Sequence, residues 1–543
     1  MKSTNWIKIG TILLFIGVVL IITSWIFTYP IHISEINEIT FTQFYPTVWP
    51  GIVISLLALF TILYYCKNKI IGAICCSLVP IFLHIPPFFF SYIPSSDCGN
   101  VRGMFQVFQK TAINPQVIPY FEYPNYFSLN EIIHQILGLN EIGIAILSFI
   151  LYGALLGLFL YLFFFNLKND QHIKLIPFLL VFLYFIGMYS FLNYQWVPQT
   201  LALVYLFLLI FISTYMLSDP IKNKWKFLFI FLFVPFITTH AFLPVIFLFF
   251  FGILTIKRRY LLQILLIILS FYLILTIYHT TFHFNLYILT LQQSIQGFGL
   301  EYTTRVSHSL QETGDLLDQI ISFSNRITVP MVWIIASLGT LILFLKKKIN
   351  YLLFSLVLGG GIYLSVGIFY TVLGLRAAQI LLIPLTVGFM YFILKWKKPT
   401  IALIIVILIL SVSGSMRTAY NHTQFQTDDE VYACDFLANK IIKENNPKVA
   451  IGQVNWGYFT SKYMYLKNTL LIGFAIRPGS PRFLDTFNDS LDQNEYVVYN
   501  SNLGKEILEY VYTKEQLDNK LREYIENNEI YNCGTTSVIK GVN

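Results

Sequence analysis

Long apolar runs broken by short basic clusters set the rhythm of this chain. Lys67 and Lys69, Lys168 and Lys174, Lys222 to Lys226, Lys257 to Arg259, Lys346 to Lys348, and Lys395 to Lys398 recur along it, with about two hydrophobic runs between most neighbouring clusters. A helix crosses a bilayer with about 20 apolar residues, so the pattern predicts helical hairpins that leave one face of a membrane and return to it. It predicts about thirteen spans, at 7–28, 48–66, 70–93, 142–165, 175–191, 199–217, 226–239, 241–256, 260–282, 329–345, 349–371, 377–394 and 399–416. The short pair before Lys257 is the least regular.

Orientation follows from the same charges. With Lys2 and Lys8 inside, every basic cluster falls on the cytoplasmic face, and an odd number of spans places the C-terminus outside. The first run is long and poor in small residues at its end, so it reads as an anchor rather than a cleaved signal. The expected location is the plasma membrane, with a cytoplasmic N-terminus and an extracellular C-terminal domain.

Composition sharpens this picture. Only 12% of the 543 residues are charged against 56% hydrophobic, and the mean hydropathy is +0.65. Soluble domains carry about 25% charged residues to cover their surface, so most of this protein is expected to face lipid. The net charge of +8 is a topological excess of cytoplasmic Lys and Arg, and it does not imply a nucleic-acid partner.

After residue 416 the pattern changes. Residues 417–543 hold 13 basic and 16 acidic side chains and no run long enough to span. Helical patterns at Asp428–Glu444 and Lys514–Asn528 alternate with β-branched runs, "KVAIGQV" and "EYVVYN", before a terminal "IYNCGTTSVIKG" hairpin. The fold class is thus an α-helical polytopic membrane protein with a small C-terminal extracytoplasmic α/β domain. Three regions result: an N-terminal helix pair at 1–66, a transmembrane module at 67–416 with outer loops 94–140 and 283–328, and the domain at 417–543.

Cysteine and histidine add little. Cys66, Cys75 and Cys76 lie in or beside spans and read as packing residues, whereas Cys434 and Cys533 share the outer domain and a bridge between them is open. His279 and His283 have the spacing of a metal pair without an assignable third ligand, so a divalent metal has no clear ligand set and no cofactor is implied.

Candidate chemistry gathers on the outer face. No acid sits at the centre of a span, which weighs against a proton relay or an ion-coupled transporter. Asp97 opens the first outer loop directly after a proline-bearing apolar segment; a carboxylate there suits a general base and equally suits a helix-end cap. Glu122 lies in the aromatic "PYFEYPNYF", which also fits an interfacial aromatic belt. Arg102 and Arg376 are outer-face cations, and arginine suits phosphate recognition. Arg376, in "GLRAAQ", has no acid near it in sequence, although snorkelling at a helix end is the alternative. "NYQWVPQTLAL" brings Gln199 to one outer turn. "TTHAFLP" brings His240 to another, either to orient a substrate or to bond a backbone carbonyl. Nucleotide-binding loops and zinc-protease motifs are absent from the sequence.

Taken together, Asp97 at the head of a long first outer loop, "EYPNYF" later in it, "NYQWVPQTLAL", "TTHAFLP", the late "GLRAAQ" and a soluble outer C-terminal domain resemble polytopic glycosyltransferases of the GT-C superfamily. The resemblance implies transfer of a sugar, with inversion, from a polyprenyl-phosphate donor in the membrane lipid to a glycan, lipid or protein acceptor of the cell envelope. It makes Asp97 the general base and assigns the donor phosphate or substrate to Arg376, Arg102, His240, Glu122 and Gln199. One departure stands out. Many relatives carry a second acid beside the first, whereas Cys98 and Gly99 follow Asp97 here. The rival expectations are a lipid or polysaccharide transporter and a non-catalytic scaffold whose outer domain binds a partner.

Overall fold

The computed structural model describes residues 3–30, 44, 46–66, 68–89, 101–102, 104–105, 108–109, 119–167, 175–187, 197–219, 223–278, 316–367, 371–393, 432 and 436, and the strand residues 449–451, 471–473, 496–500, 529–533 and 536–540. Within these the chain is mainly helical. In order come α1 (Ser3–Thr28), α2 (Val48–Tyr65), α3 (Lys69–Leu83), α4 (Asn125–Leu137), α5 (Glu141–Leu167), α6 (Leu175–Gly187) and α7 (Pro198–Ser218). They continue with α8 (Asn223–Ile237), α9 (Phe242–Lys257), α10 (Leu262–Tyr278), α11 (Leu316–Leu345), α12 (Tyr351–Gly367) and α13 (Thr371–Ile393).

A helix falls within each apolar run that the sequence marks up to 377–394; the run at 399–416 lies outside the described residues. Among the described residues, five helices are long and apolar enough to cross a membrane: Thr4–Thr28, Val48–Tyr65, Gly143–Leu167, Pro198–Ser218 and Arg259–Ile277. Their surroundings differ. The α7 segment is 67% buried, whereas the first and last of the five are 22% and 17% buried and turn side chains such as Phe15, Phe27 and Ile277 outward. Large apolar side chains on the outside of a helix that also has an apolar inside are the signature of a bundle solvated by hydrocarbon.

Two boundaries differ from the sequence pattern. The run at 70–93 yields a helix only to Leu83, followed by a 3₁₀ turn at Pro86–Phe89. Pro80 inside the helix and the Pro86–Pro87 pair remove backbone donors and disfavour its continuation. In the other direction, α11 begins at Leu316, well before the apolar run at 329.

Close helix crossings rest on small residues. Helices α1 and α2 pack as a pair, and a Cβ on Gly51 would come within 2.9 Å of the Gly17 carbonyl oxygen. At the crossing of α11 and α13, Gly339 faces the backbone of Gly388, so a side chain at either position would force the helices apart. Helix α9 is short, but Leu243, Ile246, Phe247, Phe250 and Leu254 are fully buried. It packs on α12, where Tyr351 donates to the Ile253 carbonyl at 2.9 Å.

Five short strands follow: β1 (Val449–Ile451), β2 (Leu471–Gly473), β3 (Tyr496–Asn500), β4 (Glu529–Cys533) and β5 (Thr536–Lys540). They form one sheet in the order β2-β1-β3-β5-β4. β1 is parallel to both β2 and β3, and β5 is antiparallel to β3 and β4. β1 and β3 fall in the two β-branched runs and β4–β5 forms the terminal hairpin. The helical pattern at 514–528 lies outside the described residues.

Candidate functional site

Three segments far apart in sequence meet where α4, α9 and α13 begin. Pro124 precedes α4 with its φ already in the helical range, and Asn125 is the first helical residue. The Asn125 side-chain amide donates to Thr239 Oγ1 at 2.7 Å, and its backbone N–H donates to the Thr238 carbonyl at 3.2 Å. Thr239, fully buried, in turn donates its hydroxyl proton to the Pro235 carbonyl at 2.5 Å. Tyr205 of α7 lies beside the same amide, 3.4 Å away. The "EYPNYF" segment of the first outer loop is thereby fastened to the "TTHAFLP" turn.

His240 occupies that turn, immediately before α9. Its Nδ1 accepts from the backbone N–H groups of Phe242 at 3.1 Å and Leu243 at 3.4 Å. The imidazole therefore caps the helix N-terminus, satisfying donors that have no partner within the helix. This differs from a turn histidine donating to a backbone carbonyl. With Nδ1 accepting, the proton of the neutral ring is on Nε2.

Arg376 reaches the same place from α13. Its guanidinium carbon lies 5.3 Å from the centroid of the Phe242 ring, a cation–π arrangement, and the His240 and Phe242 ring centroids are 6.1 Å apart. Phe242 is thus the common neighbour of the two residues that sequence reasoning singled out separately. Phe242 itself carries no sequence signal beyond its adjacency to His240.

One turn further along α13 is Gln379, the last residue of "GLRAAQ". It accepts from Gln199 Nε2 at 3.1 Å, and its main-chain carbonyl accepts from the Tyr184 hydroxyl at 3.0 Å. Both glutamines are buried, Gln199 at 5% and Gln379 at 1% exposure. The Gln379 Nε2 has no hydrogen-bond partner among the described residues. The amide pair ties the first turn of α7 to the first half of α13 and so fixes the helix that carries Arg376. Sequence reasoning reached Gln199 but not its partner, because the two are 180 residues apart.

The first outer loop supplies the remaining positions. Glu122 ends a 3₁₀ turn at Pro119–Glu122, is 3% exposed, and stands three residues before Asn125. Arg102 is half-buried in a helical turn after Val101. From the same stretch, Phe105 stacks edge-on to His134 and Phe108 packs on Phe121 and Phe127, so this part of the loop lies against α4. Asp97 falls outside the described residues, as do Cys434, His279 and His283. Cys66, Cys75 and Cys76 are buried free thiols.

Apolar helices of membrane-crossing length, with a polar cluster where several helices begin, define a helical membrane protein. No protein-family model matches the sequence, and no curated protein matches it.

Proposed function

We propose that the chain is a membrane glycosyltransferase that moves a sugar from a polyprenyl-phosphate donor to an acceptor on the outer face of the plasma membrane. The observation that carries this reading is the meeting of His240 and Arg376 on Phe242, with the Asn125–Thr239 link in the same turn as His240 and the Gln199–Gln379 pair one turn further along α13. The helix cap and the cation–π contact would stabilise a scaffold as well, but a scaffold gains nothing further from bringing a histidine and an arginine to one place. A lipid phosphate does, since it needs fixed donors and positive charge as it leaves.

In this reading about thirteen helices span the bilayer, the N-terminus is cytoplasmic, and the five-stranded sheet belongs to an extracellular α/β domain at residues 417–543. The acceptor hydroxyl oxygen attacks the anomeric carbon from the side opposite the phosphate. Its proton passes to the Asp97 carboxylate, while the bond from the anomeric carbon to the phosphate oxygen breaks with its electron pair going to the phosphate. Inversion follows. Arg376, with Arg102, balances the charge that develops on the departing phosphate, and the His240 Nε2–H donates to one of its oxygens. Gln199 and Gln379 hold α13 in place, and Glu122, buried three residues before Asn125, serves the substrate.

The test is transfer by the purified protein in lipid vesicles, with radiolabelled polyprenyl-phosphate hexoses as donors and an envelope extract as acceptor. Label moving from the lipid to a polar product supports the reading. Label crossing the bilayer unchanged would instead favour a transporter, and no change in any donor would favour a scaffold.

A further inference from the structure

Helix α4 is amphipathic in an unusual division. Successive residues of a helix are turned by about 100°, so positions three and four apart share a face. Tyr126, Phe127 and Asn130 form the face buried against the protein. Glu131 and Gln135 share one flank of the helix, where Glu131 accepts from Gln135 at 2.9 Å and from Gln109 at 2.8 Å. Most nearly opposite the buried face, Ile132 and Ile136 project outward at 52% and 75% exposure, and Leu137 at the helix end is 53% exposed. With 13 residues the helix is too short to span, since about 17 to 25 are needed.

The corner after α4 fixes what this stripe meets. Gly138 takes the left-handed conformation, φ 65°, and its N–H donates to the His134 carbonyl at 2.8 Å. The His134 Nδ1 contacts the Leu139 carbonyl oxygen at 2.6 Å, and the Asn140 side chain caps α5 by accepting from the Gly143 N–H at 2.8 Å. Only Gly138, Leu139 and Asn140 separate α4 from α5, which is one of the five helices fit to cross a membrane. The first three turns of α5 expose Ile146 and Ile150, so outward apolar side chains stand on both sides of the corner. Three residues reach at most about 10 Å, which holds the C-terminal end of α4 at the membrane surface.

We infer that α4 is an interfacial helix whose Ile132 and Ile136 stripe is seated in the headgroup and acyl boundary of the bilayer, with Glu131 and Gln135 facing water. Its first residue, Asn125, is fastened to the turn that carries His240. The seat on lipid therefore sets the depth of the candidate site relative to the membrane surface, whatever reaction that site performs.

The test places the photocrosslinking residue p-benzoylphenylalanine at Ile136 in one full-length variant and at Gln135 in another. Both are reconstituted in vesicles of phosphatidylcholine and phosphatidylglycerol and irradiated, and adducts are read by mass spectrometry. The expected result is phospholipid adducts several-fold more abundant from position 136 than from position 135. Equal yields at the two positions, or adducts from position 136 only to a second copy of the chain or to another segment of the same chain, would overturn the assignment. Because the readout is a covalent lipid adduct, it stands or falls separately from sugar transfer.

Discussion

The guanidinium of Arg376 stands over the ring of Phe242, 5.3 Å from its centroid, and Phe242 follows by two residues the histidine that caps the same helix. A cation–π contact of this kind contributes about 0.5 to 2 kcal/mol, which as a transition-state effect corresponds to a few-fold to about thirtyfold in rate. Phe242→Leu is therefore expected to leave the protein folded and to lower sugar transfer within that range, while Phe242→Tyr retains activity. Initial rates of transfer in vesicles check this; equal rates for Phe242→Leu and wild type would remove the contact from the mechanism.

Arg376→Lys keeps the charge but loses the planar fork that grips two phosphate oxygens at once. The variant is expected to bind a polyprenyl monophosphate about tenfold more weakly or worse, a loss near 1.4 kcal/mol, and Arg376→Gln more weakly still. Titration of the lipid phosphate in nanodiscs measures it. Wild-type affinity in Arg376→Gln would show that the guanidinium serves packing alone.

His240 combines a structural duty with the proposed chemical one, and the two can be separated. His240→Ala removes the cap and should lower stability by about 0.5 to 2 kcal/mol, whereas His240→Asn supplies another side chain able to accept at a helix N-terminus. A lower melting temperature for the alanine variant alone, with transfer impaired in both, is the expected pattern. Full activity in His240→Asn would confine His240 to capping.

The buried amide pair makes a prediction about non-additivity. Replacing either Gln199 or Gln379 by Leu strands the remaining amide in an apolar setting, at a cost of about 1 to 3 kcal/mol, while replacing both removes the polar groups together. The double variant should therefore melt no lower than the worse single variant. Additive losses in a thermal-shift series would contradict the pairing.

The link between Asn125 and Thr239 supports a coupling measurement. Each single change, Asn125→Ala or Thr239→Val, breaks the same partly buried hydrogen bond, so the second change made in the presence of the first should cost less. A double-mutant cycle on thermal stability should return a coupling of at least about 0.5 kcal/mol; zero coupling would place the bond outside the folded state that matters.

Much of the bundle was legible because lipid solvation demands long apolar runs and cytoplasmic loops concentrate lysine, so each run up to 377–394 announced a helix. The ends were harder to read. Pro80 and the pair at Pro86 and Pro87 stop α3 early, and the polar first turns of α11 are helical despite carrying no spanning signal. The strands at Val449–Ile451 and Tyr496–Asn500 followed from β-branched runs, whereas Leu471–Gly473 is too short to show a period. Within the site, Arg376 stands out between two apolar runs with no acid near it, and His240 and Gln199 as polar residues of tight outer-face turns. Their partners do not: Phe242 and Gln379 are distinguished only by contacts across more than a hundred residues of chain, which a single sequence does not encode locally. Helix α4 lies inside the predicted outer loop at 94–140, because thirteen residues with apolar positions on more than one face carry neither a spanning signal nor the two-sided pattern of a soluble helix.

The central claim is that this end of the bundle transfers a sugar with Asp97 as base, and single-turnover transfer by Asp97→Asn tests it most directly. Asparagine preserves size and accepts hydrogen bonds but cannot take the acceptor proton at neutral pH. The expected result is donor binding equal to wild type and transfer slowed at least about a hundredfold, the lower range of what a general base contributes. Transfer by Asp97→Asn at the wild-type rate would contradict the account.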